Sequence, residues 1–269
     1  MTTMKVACIQ MNISLCSKKE NLERALSLAE EAVSKEAELL AFPEVFSTGF
    51  CYDRIVEVAE TVSGSTIGAL CDFSKEHQCI LAGSMIEQRE GSEFSSEMNI
   101  PPQFNLGFCI ESGKLVGIHR KTQLYGLEKE YFALGEDIHP IRLKKYGLSM
   151  GLMVCNEIRY PEVSRKLALE GADFLVSASD MPDFYIYPWR IMSLSRAIEN
   201  QLLHIACNRA GNDRFSTYAG KSFIADGWGR ILAEAGKEEC VLIGEIDLEK
   251  AKEIRQTGSI IEDRRPEIY

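Results

Sequence analysis

The chain has 269 residues, 45% hydrophobic and 26% charged, which suits a folded water-soluble protein of one large domain or two modest ones. Its formal charge of -10 argues against nucleic acid or anionic lipid as main partner, because phosphate binding needs a basic face; the excess acid is read as serving solubility. No run approaches the ~20 apolar residues of a membrane span, so no membrane partner is expected.

Residues 4–10 read as a first strand without the layout of a signal peptide, and a cytoplasmic setting is expected. Over 21–34, Leu22, Ala25, Leu26, Ala29 and Val33 share one helical face. The run 39–42 is a short apolar strand ended by Pro43. Strand, helix, strand at this spacing implies a buried sheet with a crossover helix. A helix over 66–77 precedes a strand at 79–85, and the polar stretch 88–103 reads as a candidate specificity loop. Strands at 104–110 and 115–120 flank a turn containing Gly113, a hairpin signal. After a strand at 148–154, Pro161 and Gly171 bracket a helix over 161–170. A strand at 174–177, a helix at 188–201 and short strands at 203–207, 221–225, 231–235 and 241–246 complete the pattern. Strands and helices alternate first and hairpins crowd the end, so residues 1–269 are read as one α/β domain with a mixed sheet or a pair of sheets.

The nine cysteines are odd in number, lack a C-x-x-C and sit mostly in apolar runs. That pattern predicts buried free thiols in a reducing compartment rather than a disulfide scaffold. The four histidines form no pair at metal-ligand spacing, and no metal site is expected.

Three apolar strands end on chemically useful groups: Glu44 after "LLAFP", Lys121 after "LVGIHR" and Cys155 after "GLMV". Sites in α/β folds gather beyond the carboxyl ends of strands. If these strands neighbour each other in register, a carboxylate, an ammonium and a thiol converge. The ammonium favours thiolate and faces a developing oxyanion; a carboxylate raised toward neutrality by burial takes the thiol proton. Such a set suffices for amide hydrolysis through a thioester, without histidine or metal. Taken singly, each residue has a plainer reading: a loop cap or lysine partner for Glu44, a solvated charge for Lys121, strand packing for Cys155.

The combination resembles the nitrilase superfamily of carbon–nitrogen hydrolases. "LLAFPEVFSTGF" (39–50) is similar to its glutamate block, "GIHRKTQL" (117–124) to its lysine block and "VCNEIRYPEVSR" (154–165) to its cysteine block. "RAIENQ", "CNRAG", "YAGKS" and the closing "RRPEIY" are further landmarks, so the likeness spans essentially the whole chain. The resemblance implies a four-layer αββα sandwich of two mixed sheets flanked by helices, pairing into homodimers or larger homo-oligomers, with no cofactor and no metal. It implies Glu44 as general base, Lys121 as stabiliser of the tetrahedral intermediate, Cys155 as nucleophile and the backbone N–H of Asn156 as an oxyanion donor. Glu128, seven positions before Gly135, matches a second glutamate that fixes the lysine and the substrate amide, with Glu130 as its rival.

Asn156-Glu157 stands where nitrilases carry Trp-Glu, which favours amides over nitriles. "FPEVFSTGF" with "RYPEVSR" most resembles the amidase branch that includes ω-amidases. A small linear amide is therefore the expected substrate, releasing ammonia and a carboxylic acid, with a carbamoyl amino acid or a nitrile as alternatives. Arg159 and Glu199 are each left between an ion pair behind the site and substrate contact, the pair being favoured for Glu199. Tyr125, Met181 and Trp189 are candidates for a pocket or for packing. Two other classes remain: a Cys–His protease using His204 or His119, and a non-catalytic binding module. "AGKS" (219–222) fails as a phosphate loop because position 215 is Phe215 rather than glycine.

Overall fold

The computed structural model describes residues 3–89, 103–258 and 260–268, so residues 90–102 of the candidate specificity loop lie outside the described residues. The strands are β1 (Thr3–Gln10), β2 (Leu39–Ala41), β3 (Ile80–Gln88), β4 (Gln103–Glu111), β5 (Lys114–Arg120), β6 (Ile141–Leu143), β7 (Leu148–Val154), β8 (Phe174–Ser179), β9 (Leu203–Asn208), β10 (Ala210–Asn212), β11 (Thr217–Ala219), β12 (Phe223–Ala225), β13 (Ile231–Glu234) and β14 (Cys240–Asp247). The helices are α1 (Lys18–Ser34), α2 (Ile55–Val58), α3 (Ser65–His77), α4 (Glu128–Tyr131), α5 (Pro161–Leu169), α6 (Ile186–Asn200) and α7 (Leu248–Gly258). They build two six-stranded sheets, ordered β14-β1-β2-β3-β4-β5 and β13-β12-β9-β8-β7-β6, with β10 and β11 as a separate hairpin.

The two-residue alternation of strands sorts the core into layers. On β1, Val6 and Cys8 face inward with Leu39, Ala41, Ile80 and Ala82, against Leu152, Val176, Ile205 and Cys207 of the second sheet. Ala7 and Ile9 face outward onto Ala25 and Ala29 of α1 and Leu70 and Phe73 of α3. On the far side, Met153, Leu175 and Ala206 meet Val163 and Leu167 of α5 and Trp189 of α6. Helix, sheet, sheet, helix is the four-layer sandwich expected from the sequence, and both sheets are mixed. Pro161 opens α5 and Gly171 follows it at φ +92°, as the sequence predicts. Helix α6 begins at Ile186, which places Pro188 in its first turn, where no N–H is needed.

The cysteine reading needs one correction. Cys16 and Cys51 form a disulfide, with Cα atoms 5.2 Å apart. Neither lies in a strand; the loops after β1 and β2 stack, with Cys16 N–H donating to Thr48 O at 2.8 Å, and bring the sulfurs together. The other seven are free, and Cys8, Cys79, Cys109 and Cys207 are buried. Among the described residues no helix is long and apolar enough to cross a membrane.

Candidate active site

Strands β1, β2 and β3 run parallel, β4 reverses and β5 returns to the first direction, so β2 and β5 end at one edge of their sheet. Glu44 follows β2 and Lys121 follows β5, but β3 and β4 lie between them, and Cys155 follows β7 in the other sheet. The three strands are therefore not neighbours. Convergence comes instead from stacking the two sheets with matching ends: Glu44 N–H donates to Ser179 O, at the end of β8, at 3.4 Å.

Lys121 is 1% exposed, and burying an ammonium requires partners. Its Nζ donates to Glu44 Oε1 at 2.6 Å and to Glu128 Oε1 and Oε2 at 2.7 and 2.8 Å. Asn105, on β4, donates from one Nδ2 to Glu44 Oε1 at 2.8 Å and to Glu128 Oε1 at 3.1 Å. Glu128 also accepts from Tyr125 N–H at 2.7 Å, which closes the turn that carries it. Its rival Glu130 is exposed. Glu44 Oε2, though buried, takes no hydrogen bond from any described residue.

Cys155 begins a 3-10 turn (Cys155–Arg159) with φ +42°, a left-handed conformation rare for a residue with a Cβ and found where structure over-determines it. Glu157, in that turn, enforces it. Its buried carboxylate accepts from Val154 N–H at 2.7 Å, Thr122 N–H at 2.8 Å, Thr122 Oγ1 at 2.7 Å and His119 Nε2 at 2.8 Å. The ends of β5 and β7 are thus tied to one group. The Asn156 side chain donates to Gln123 O at 3.0 Å, leaving its main chain at the start of the turn.

Burial pushes the Cys155 thiol well above its ordinary range, and the Glu44 charge adds to this while Lys121 opposes it. Burial also raises Glu44, to about 7, against the pull of Lys121 and with help from Glu128. Lys121 is disfavoured as a cation by burial, but Glu128 and Glu44 outweigh that and hold it charged. The site rests as a neutral thiol beside a carboxyl that titrates near neutrality and a permanent ammonium.

Glu44, Lys121, Glu128, Cys155 and Asn156 line one cavity of about 260 Å³. Its outer walls are aromatic, from Phe50, Tyr52, Tyr125, Phe184, Tyr185, Phe215 and Tyr218, with Met181 and Asp180 deeper. Arg159 is at the exposed rim, its guanidinium 5.7 Å from the Tyr125 ring centroid and 5.3 Å from that of Tyr185. Among the described residues it has no carboxylate at ion-pair distance. Glu199 is elsewhere, paired with Arg196 and half buried. Trp189 packs on Phe223 and donates to Ser179 Oγ at 3.1 Å, outside the cavity lining. His204 is enclosed between Ser193 O and Ser177 Oγ at 3.0 and 2.9 Å and is held down to about 4 by burial. Neither it nor Glu157-bound His119 lines the cavity, so the Cys–His pairing has no geometry here. Among the described residues no group of three or more acidic, histidine or cysteine side chains is placed to hold a metal.

Sequence reasoning missed Asn105 and Asp180. Asn105 is a polar residue inside the buried strand "FNLGFC", the signal that marks it afterwards. Asp180 follows β8 as Cys155 follows β7, a fourth strand end of the same kind.

The geometry has close parallels among known proteins. The family profile described as carbon-nitrogen hydrolase matches residues 5–256. The chain is 30% identical to a 2-oxoglutaramate amidase of Bacillus subtilis (strain 168), over 98% of each chain. It is 28% identical to Omega-amidase NIT2 of Mus musculus, over 100% of this chain and 98% of that one. A crystal structure of a carbon-nitrogen hydrolase from Helicobacter pylori G27 superposes with a TM-score of 0.87 at 26% identity, covering 99% of this chain and 97% of that one. With family, fold and relatives agreeing, the reading of a non-catalytic module gives way: the chain belongs to the carbon–nitrogen hydrolases of the nitrilase superfamily and is an enzyme of their amidase type.

Proposed function

We propose that this enzyme hydrolyses a small linear amide through a Cys155 thioester, with Glu44, Lys121 and Glu128 as its charged machinery. The observation that carries this is the doubly held Lys121, fully buried between two carboxylates on the wall that also bears the thiol. Glu44, through its unpartnered oxygen, takes the thiol proton as sulfur attacks the amide carbon. The oxyanion that forms faces the Lys121 ammonium and the Asn156 N–H. Glu44 returns the proton to the departing nitrogen, which leaves as ammonia. The same carboxylate then deprotonates a water that attacks the thioester, releasing a carboxylic acid and restoring the thiol. Glu128 holds Lys121 on its bearing and accepts from the substrate amide.

Arg159 supports a substrate whose far end is a carboxylate: it is a cation on an aromatic rim, and among the described residues its one side-chain hydrogen bond is to Asn156 Oδ1, at 3.4 Å. A cavity of about 260 Å³ suits a molecule of a few carbons, such as the ω-amide of a short dicarboxylic acid. Seven free cysteines against one disulfide support a cytoplasmic setting. The outward face of α6, where Tyr187, Ile191 and Ile198 stand exposed, supports assembly as a homodimer.

The test is ammonia release from short amides, ω-amides of dicarboxylic acids, carbamoyl compounds and nitriles, with Cys155→Ala as control. Turnover of ω-amides that falls at least tenfold in Arg159→Met is expected. Activity on nitriles or carbamoyl compounds alone would reject the substrate class, and release unchanged in Cys155→Ala would reject the mechanism.

A further inference from the structure

Asp180 is a buried acid that this mechanism leaves idle. It is the first residue after β8; its carboxylate is closed to solvent although the residue lines the cavity. Arg209 Nη1 lies 3.2 Å from Asp180 Oδ2 and 3.4 Å from Oδ1. Arg209 is itself fully buried and immobilised: it donates to Asp213 Oδ2 and to Ile13 O, each at 2.8 Å, and its guanidinium stacks 3.9 Å from the Tyr218 ring centroid. The main chain is fastened on both sides of Asp180. Ser179 O accepts from Arg209 N–H at 3.1 Å as well as from Glu44 N–H, and Met181 N–H donates to Asn208 Oδ1 at 2.8 Å.

Burying one cation against two carboxylates is a poor route to stability, since apolar side chains of similar volume usually do as well or better. Here the arrangement stands at the reacting groups: Asp180 shares the cavity wall with Glu44 and Cys155, and the residue before it accepts from Glu44 N–H. The Asp180 carboxylate is close enough to Glu44 to repel negative charge there. The other charged or titratable groups facing Glu44 are Lys121, Glu128, Cys155 and Tyr52; those facing Asp180 are Arg209, Asp213, Lys121, Tyr52 and Tyr218, and burial raises Asp180 itself to about 6 against the pull of Arg209. We infer that Asp180, clamped by Arg209, is a positioning residue of this enzyme: its negative charge, held on the cavity wall beside Glu44, favours arrival of the thiol proton there.

The inference deepens the amidase reading but is testable without a substrate. Alkylation of Cys155 by iodoacetamide, mapped by mass spectrometry across the neutral pH range, reads the thiol and its base directly. In Asp180→Asn, which keeps the shape and removes the charge, the pH at which alkylation accelerates is expected to move to lower pH by about one unit, because a like charge next to Glu44 is gone. Asp213→Asn, which removes the other carboxylate of the clamp, is expected to leave it in place. Should Asp180→Asn fail to fold, Asp180→Ser offers the same loss of charge in less volume. A folded charge-free variant whose profile coincides with wild type would overturn the inference, as would an equal movement in Asp213→Asn. If the profile moves while no amide is turned over, the inference stands and the substrate reading fails. If Glu44→Gln alkylates with the wild-type profile, Glu44 is not the base and the inference falls with it.

Discussion

At the scale of single residues, the chemistry proposed above depends on a carboxyl in the wrong solvent. Glu44 has an ordinary value of 4.5 and is raised to about 7 in the fold, chiefly by burial. Between those values the folded chain holds a proton that the unfolded chain has lost, so stability falls as pH rises through that window. Glu44→Gln lacks this loss. Its melting temperature relative to wild type is expected to climb by on the order of 5 °C between mildly acid and mildly alkaline pH, checked by calorimetry at both. The same substitution should cut ammonia release by at least about 10²-fold. In wild type, activity should rise through pH 7 as Glu44 gives up its proton. Glu44, Lys121 and Cys155 were legible because each stops an apolar run, a discontinuity that one strand displays by itself. Asn105 was not: its partners Glu44 and Glu128 are 61 and 23 positions away, and no spacing rule links them.

At the scale of elements, short apolar runs and turn signals revealed most strands, and proline and glycine marked the ends of α5. Pairing was less legible. An apolar run says that a strand is buried but not which neighbour it meets, so whether the strands carrying Glu44, Lys121 and Cys155 adjoin was left open, and two sheets supply them. Helix α7 was missed because its apolar signal is sparse, with Leu248 and Ile254 the buried residues among charged ones. Two substitutions probe how the sheets hold the site. A Cβ at Gly107, on β4, would stand 2.9 Å from Leu152 Cδ2 and 3.1 Å from His119 O. Gly107→Ala is therefore expected to destabilise by about 1–3 kcal/mol in urea titration. Glu157→Gln leaves donors at the ends of β5 and β7 without their charged acceptor and removes the charge that raises His119 against its burial. It is expected to cost about 2–4 kcal/mol and to lower kcat more than it changes KM.

At the scale of the whole molecule, the four-layer architecture was foreseen and its surface was not. Phe184, at 79% exposed, stands just before α6 and Tyr187, at 73%, in its first turn, and Ile191 and Ile198 continue the side that Tyr187 begins. If the proposed homodimer forms through this side, Ile191→Glu is expected to run as a monomer in sedimentation velocity where wild type runs as a dimer, with fold and melting temperature retained. That apolar side does not end at the helix: Phe184 and its neighbour Tyr185 are also walls of the cavity. A subunit meeting its twin there would brace the mouth through which reactant enters, so turnover per molecule should sag on dilution and recover on concentration. Abundance itself would then act as a throttle, with scarce copies idling and crowded ones working.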